Sequence, residues 1–352
     1  IPQPTREQKL ETLKRGLAEA NRVGLTAVEC AGGEGESSDF AVLDVLDQLR
    51  RDGALSLRFY VAYYLDPAKS LNEELPTLDA ARSRYRDEWI STGAAKAYLD
   101  GVVEAHTAAM LTPYGDDPSI SGSLFWDAAK YRSTVTELDR RGYQMFTHAI
   151  GDRAVRLALD SYEQAQQANG VHDARDRVEH IETISPADIP RFGKLRVIAS
   201  FQPLHAYPDD DSLNVWARKA GPDRASRGWP WHSVAESGGR LAFGSDWPVV
   251  TMNPWQGLQN AVARQRLPEQ RVTLEQAIEA YTLGAAFAGR RDKDEGSIEP
   301  GKLADIIMVS QDLFKTDPHQ LRNTEVLLTM VGGKVVYESD AGKQTLRPRG
   351  SR

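Results

Sequence analysis

The amino-acid sequence predicts an α/β fold in which parallel strands are joined by helical crossovers and followed by a small β module. Three observations carry this reading. Strand-like and helix-like segments alternate over roughly 250 residues, as a parallel sheet with crossover helices requires. Seven strand-like runs precede Leu274, near positions 25, 57, 96, 145, 178, 197 and 241. Beyond Ala288 the texture turns to glycine-marked turns and short β-branched runs. The alternation alone suits either a doubly wound sheet or a closed barrel. A (β/α) barrel closes with about eight strands, so the missing one is expected upstream of Ile1.

The elements follow in order. Thr5 can cap a helix to about Val23, with Leu10, Leu13 and Leu17 at helical spacing. Gly24 ends it, and Leu25–Cys30 reads as a short buried strand before Gly32-Gly33. A helix over Phe40–Arg51 leads to the strand-like run Leu55–Leu65, and Ala94–Leu99 is another strand. Helix Tyr131–Arg141, strand Gln144–His148 and a helix from Asp152 to about Ala168 come next. Arg177–Ile181, Arg196–Gln202 and Arg240–Gly244 complete the strands, with helices after Ser185, around Ser233–Ser237 and over Leu274–Ala288. The turn-rich stretch Gly296–Asp305 enters Ile306–Val309. Val326–Val331 and Lys334–Glu338 then form a hairpin through Gly332-Gly333, a strong two-residue turn signal.

Bulk properties bound the function. The 352 residues are 41% hydrophobic and 26% charged, an ordinary globular composition. A net charge of −7 argues against a nucleic-acid partner, since phosphate binding needs a basic face. No run approaches the roughly 18 apolar residues of a membrane span. The single cysteine, Cys30, excludes an internal disulfide framework and suits a reducing compartment, so a cytoplasmic location is the expectation.

Four strand ends carry polar residues that could do chemistry. His148 in Thr-His-Ala-Ile-Gly-Asp and His180 in Val-Glu-His-Ile-Glu stand where strands meet loops. Asp246 ends the last strand before Trp247-Pro248, and Lys96 lies inside an otherwise apolar strand. Each has a bland reading: a hydrogen-bonded histidine, a turn-capping aspartate, a snorkelling lysine. Their joint occurrence changes the balance, because the C-terminal ends of parallel barrel strands converge on one site. Two histidines and an aspartate there match the ligation of zinc or a similar divalent ion.

These phrases resemble the amidohydrolase superfamily, and within it the amidohydrolase-3 or YtcJ-like branch that includes N-substituted formamide deformylases. Lys96-Ala-Tyr-Leu-Asp100-Gly101 resembles the fourth-strand segment of that branch, and Gln202-Pro-Leu-His205 its seventh-strand motif. Gly296–Asp305 resembles the signature leading into a small β-sandwich. The resemblance implies a TIM-like (β/α) barrel of the metal-dependent hydrolase type, incomplete at its N-terminus because the first strand is missing. The barrel would occupy residues 1–290 from its second strand onward, and the C-terminal part of a small β-sandwich residues 291–352. It implies His148 and His180 as ligands of one or two divalent ions, zinc being the expected one. Lys96 would be a bridging ligand once carboxylated, since an ammonium has no lone pair. Asp246 would bind metal and act as general base. The activity implied is hydrolysis of an amide-type C–N bond (N-acyl, N-formyl or related) of a small molecule.

The family also carries a His-x-His pair on its first strand, and no such pair occurs in this sequence: His106, His172, His205, His232 and His319 stand alone. The expectation is that this strand and half of the sandwich precede Ile1, and that metal can be absent from the chain as it stands. Further candidates are His205 on the substrate carbonyl and Arg153 on a substrate anion or bracing Glu179. Trp247 is a substrate contact, and Trp126, Trp216, Trp229 and Trp231 are core packing or pocket wall. Asp152 is read as a helix cap, Asp100 as ordering the loop after its strand, and Tyr114 as bordering the entrance. Homodimers are common in this architecture, so a homodimer is the candidate assembly. Two other functions compete: Schiff-base lyase chemistry through Lys96, and a metal-free barrel homologue without catalysis.

Overall fold

The structure is a computed structural model and describes residues 4–32, 39–206 and 210–345. All seven expected strands form. They are β1 (Ala27–Cys30), β2 (Arg58–Tyr64), β3 (Ile90–Tyr98), β4 (Gln144–Ala149), β5 (Arg177–His180), β6 (Ile198–Phe201) and β7 (Arg240–Phe243). They lie in one parallel sheet in the order 1-2-3-4-5-6-7. A doubly wound sheet reverses its strand order at a switch point, whereas a barrel wall runs in sequence order. The order excludes a doubly wound sheet and fits the wall of a barrel, with no pairing between β1 and β7 among the described residues. The curl is visible in one contact. Glu29 of β1 pairs with Arg177 of β5, although four strand spacings in a flat sheet would part them by about 19 Å.

Alternation along each strand gives the wall two faces. Ala95 and Ala97 of β3 and Met145 and Ala149 of β4 join the large apolar cluster under the helices. Ala94 and Phe146 instead join Tyr60 and Ala62 in a small cluster on the opposite, inner face. Thr147 faces the helices, where its hydroxyl meets Tyr131 (2.6 Å) and Tyr162 (2.5 Å), so the one polar outward side chain of β4 is satisfied.

The first helix runs over Arg6–Arg22 with the capping box of Thr5 and Gln8. Sequence periodicity does not mark the helix Leu71–Arg84, which holds Pro76 inside it. Leu274–Ala288 breaks into Leu274–Tyr281 and Leu283–Ala288 at Thr282, where ψ is −92°. Gly151, not Asp152, caps the helix Asp152–Asn169. The Asp152 carboxylate accepts from Leu111 N (2.7 Å) and from Arg224 Nε (3.1 Å), tying in the loop after β3. Gly33, half of the expected turn after β1, lies outside the described residues.

The small β module is a three-stranded antiparallel sheet of β8 (Ile306–Val309), β9 (Val326–Val331) and β10 (Lys334–Glu338), in the order β10-β9-β8. Gly332 and Gly333 both take left-handed φ, 59° and 78°, as the tight hairpin turn demands. Asp305, which closes the Gly-rich signature, accepts Arg58 Nε (2.7 Å) and Nη2 (3.0 Å) and also Gly332 N (2.7 Å). That buried pair fastens the module to the start of β2 and raises the Arg58 pKa against the opposing effect of burial. No helix among the described residues is long and apolar enough to cross a membrane.

Candidate metal centre

The inner face is polar towards the C-terminal ends of the strands. Arg177 and Glu179 point inward: the Arg177 guanidinium lies 3.5 Å from the Phe146 ring centroid and donates to Glu179 Oε1 at 2.5 Å. Burial lowers the Arg177 pKa, which the Glu179 charge counteracts. Val178 packs outward. Strict alternation would send His180 outward with it. The backbone turns left-handed at His180 (φ 75°) and at Ile181 (φ 49°), so the pleat breaks where the strand ends. The His180 ring consequently lies edge-on to the inward His148 ring, with centroids 4.5 Å apart. Left-handed φ at a β-branched residue such as Ile181 is rare and costs roughly 1–3 kcal/mol. Asp246, three residues past β7, is left-handed too, with φ of 59°.

Together these turns assemble one cluster. His180, His205 and Asp246 each present a ligand atom, and the three atoms lie within 4.8 Å of one another. The His180 and His205 rings are stacked at 5.5 Å with 5° between planes. His180 Nδ1 and His205 Nε2 are buried without a hydrogen-bond partner among the described residues. His205 Nε2 stands 3.7 Å from Asp246 Oδ2, too far for a hydrogen bond. It is only a few tenths longer than the roughly 3.4 Å between neighbouring ligands of a tetrahedral zinc shell. Buried polar atoms are normally satisfied, so two orphaned imidazole nitrogens beside a carboxylate fit a divalent cation.

Protonation favours the same use. Burial, then the Lys96 charge, pushes the His148 pKa down to about 3. Burial holds His205 down to about 4 and His180 well below the usual histidine range. All three rings are thus neutral near pH 7, the form that binds metal. Burial raises Asp246 to about 6, opposed by Lys96, which leaves it ionised at neutral pH yet basic enough to take a proton.

The structure brings only part of the expected ligand set into the cluster. His148 Nε2 faces Gly101 O at 3.3 Å and Asp100 Oδ1 at 3.6 Å, one ring away from His180. Lys96 is buried, with Nζ 4.6 Å from the Tyr98 ring centroid. His205, expected as a substrate contact, joins His180 and Asp246 instead; its place on the turn Pro203–Ala206 beyond β6 was the available signal. Asp100 orders its loop as expected. Its carboxylate accepts from Ala109 N (2.8 Å), Ile150 N (3.0 Å) and Gly151 N (2.8 Å). Burial raises its pKa to about 7 against those three bonds. Gly151 is needed there, since a Cβ would come within 2.1 Å of Ala109 O.

Two expectations are corrected, and for the tryptophans one of two alternatives is met. Glu179 is braced by Arg177 from the same strand face, not by Arg153, whose Nη2 donates to Gly122 O at 3.3 Å. Tyr114 does not border an entrance: it is buried, with its hydroxyl on Ala108 O at 2.8 Å. Trp126, Trp216, Trp229 and Trp231 are buried in the core, leaving Trp247, 55% exposed, as the accessible tryptophan of that group. Sequence reasoning also passed over Glu182, fully buried and accepting from Trp216 Nε1 at 2.7 Å, with its pKa raised well above the carboxylate range by burial.

A curled parallel wall with imidazole and carboxylate donors gathered at its C-terminal strand ends is a candidate metal centre. The chain belongs to the amidohydrolase family, whose profile matches residues 1–337. It is 37% identical to Protein LONG AFTER FAR-RED 3 of Arabidopsis thaliana over 261 residues, covering 71% of this chain and 44% of that protein. It is 30% identical to the putative amidohydrolase YtcJ of Bacillus subtilis (strain 168) over 259 residues, 71% of this chain and 48% of the relative. The chain thus spans less than half the length of these two curated relatives. Its fold is similar to an uncharacterized metal-dependent hydrolase from Pyrococcus furiosus, with a TM-score of 0.71 and 24% identity. That match covers 85% of this chain and 59% of the other.

Proposed function

We propose that the protein is a metal-dependent hydrolase that cleaves an amide-type C–N bond, N-acyl or N-formyl, of a small molecule. The observation that carries this is the cluster of His180, His205 and Asp246, whose ligand atoms lie within 4.8 Å of one another, with His205 Nε2 buried, unpartnered among the described residues and 3.7 Å from the Asp246 carboxylate. Family membership and the fold of a metal-dependent hydrolase support it. A divalent ion on these three residues, zinc being the one the donor set suits, would acidify a water and polarise the scissile carbonyl. His148 stands beside His180 to extend the set, and Lys96 can join only as a carbamate.

The chain's own residues divide the remaining work. Asp246 takes the proton of the attacking water as the water oxygen bonds to the carbonyl carbon. It then returns that proton to the departing nitrogen, so an amine and a carboxylic acid leave. Arg177 pairs with Glu179 and so offsets the charge that pushes the Asp246 pKa up. Trp247, next to Asp246 and exposed, and Arg153, on the first turn of the helix after β4, are the substrate contacts in this reading. Metal analysis of the purified protein after zinc loading and desalting, with His180→Ala and Asp246→Asn alongside, tests the reading. Retained metal in the wild type, lost in His180→Ala, together with hydrolysis of a simple N-acyl amine, is expected. A wild-type protein that retains no divalent ion ends it.

A further inference from the structure

We infer that Phe125, acting with Trp247 across the mouth of the site, receives an aryl or branched-alkyl substituent of the substrate amide; this rests on the hydrolase reading above. Phe125 N donates to Leu99 O at 2.8 Å, which pins its segment to the C-terminal end of β3. The tip of its ring, Cζ, lies 3.5 Å from where a Cβ on Gly101 would stand. Gly101 O in turn lies 3.3 Å from His148 Nε2. The ring is therefore one residue removed from the first histidine of the site, and it is still 45% exposed.

Trp247 occupies the other end of the same row. It follows Asp246 directly, and the row His148, His180, Asp246 is continuous through the 4.5 Å ring contact and the 4.8 Å cluster. Val102 follows Gly101 with 40% exposure, and Val249, whose N donates to Asp246 O at 2.9 Å, has 69%. Single exposed apolar side chains are ordinary on any surface. Four of them on two loops at opposite ends of one polar cluster have the composition of a ligand pocket, apolar walls around a few polar groups. A methyl substituent would leave both rings wet, whereas an aryl or branched group would cover them and gain the transfer free energy of that area.

The test uses zinc-loaded protein and two probes, N-methylacetamide and acetanilide, read by calorimetric binding and by turnover. Phe125→Ala and Trp247→Ala are expected to lower kcat/KM for acetanilide by roughly 10–100-fold more than for N-methylacetamide. Phe125→Leu should restore most of the difference, which a merely structural role would not do. Phe314→Ala, 65% exposed in the C-terminal segment, serves as the control expected to change neither probe. Turnover that persists while Phe125→Ala and Phe125→Leu affect both amides equally overturns the inference and leaves the hydrolase intact. Aryl-selective binding that is lost in Phe125→Ala, with no turnover of any amide by wild type, supports the pocket and defeats the hydrolase reading. Binding without preference for the aryl probe overturns the inference.

Discussion

On β4, neighbouring residues live in different chemical worlds. Met145 and Ala149 sink into the apolar layer beneath the helices, while Phe146 and His148 turn into the barrel, under Arg177 and beside His180. The outward layer contributes burial, at roughly 25 cal/mol per Å² of apolar surface removed from water. The inward layer holds buried charges and imidazoles, which burial penalises unless something compensates them. On β4 residue parity keeps stability on one side of the wall and chemistry on the other, and at the end of β5 only the left-handed backbone of His180 brings a site residue across.

The two faces can be perturbed separately. Asp246→Asn should reduce amide turnover by about 10³-fold or more, because the proton acceptor is gone. In the metal-free protein its urea-unfolding midpoint should stay at the wild-type value, and a large drop there would make Asp246 part of the scaffold. Leu138→Ala, in the outward layer and fully buried, should do the reverse: a loss of about 2–5 kcal/mol in stability with zinc stoichiometry kept. Loss of zinc in the folded variant would contradict the separation of faces. Asp305→Ala probes the tie between the barrel and the small sheet. It should cost about 3 kcal/mol, the low end for breaking a buried pair, because Glu295 remains 3.8 Å from the Arg58 guanidinium. Chemical denaturation would expose a smaller effect, below about 1 kcal/mol, as evidence of a loose module.

A fourth test concerns the end of the barrel opposite the site. Asp176 accepts Met145 N at 2.8 Å, and burial raises its pKa to about 7 from an ordinary 3.8. The folded state therefore keeps a proton that the unfolded chain has lost between those values. Wild-type stability from this group is present at low pH and declines as pH rises through the window. Asp176→Asn removes the titration, so the variant should gain on wild type as pH rises from about 4 to about 7 and stay level above, by on the order of a few kcal/mol. A stability gap that does not move with pH would show Asp176 already ionised in the fold.

Much of this was legible in the residues. The seven strands could be read because strands buried on both faces are short apolar runs between turn signals. Their polar residues, Lys96 within a strand and His148, His180 and Asp246 at or just beyond strand ends, marked the end where the site lies. The helix Leu71–Arg84 was hidden by Pro76 and by its weak amphipathic pattern. The inward turn of His180 could not be read, because parity predicts the opposite and only the tertiary surroundings hold its φ at 75°. Membership of His205 in the cluster depends on that same turn. The choice between doubly wound sheet and barrel needed strand order, which periodicity does not encode.

The Asp100 carboxylate also has a mechanical meaning. By holding Ala109 from the segment after β3 together with Ile150 and Gly151 from the segment after β4, it rivets two loops to a single point. Neither can swing without tearing bonds from the other, so this side of the opening behaves as a fixed jaw. The stretch after β7 is held differently: Trp247 and Val249 stand more than half exposed, and their amides bond within the stretch itself, to Ser245 Oγ (3.2 Å) and Asp246 O (2.9 Å).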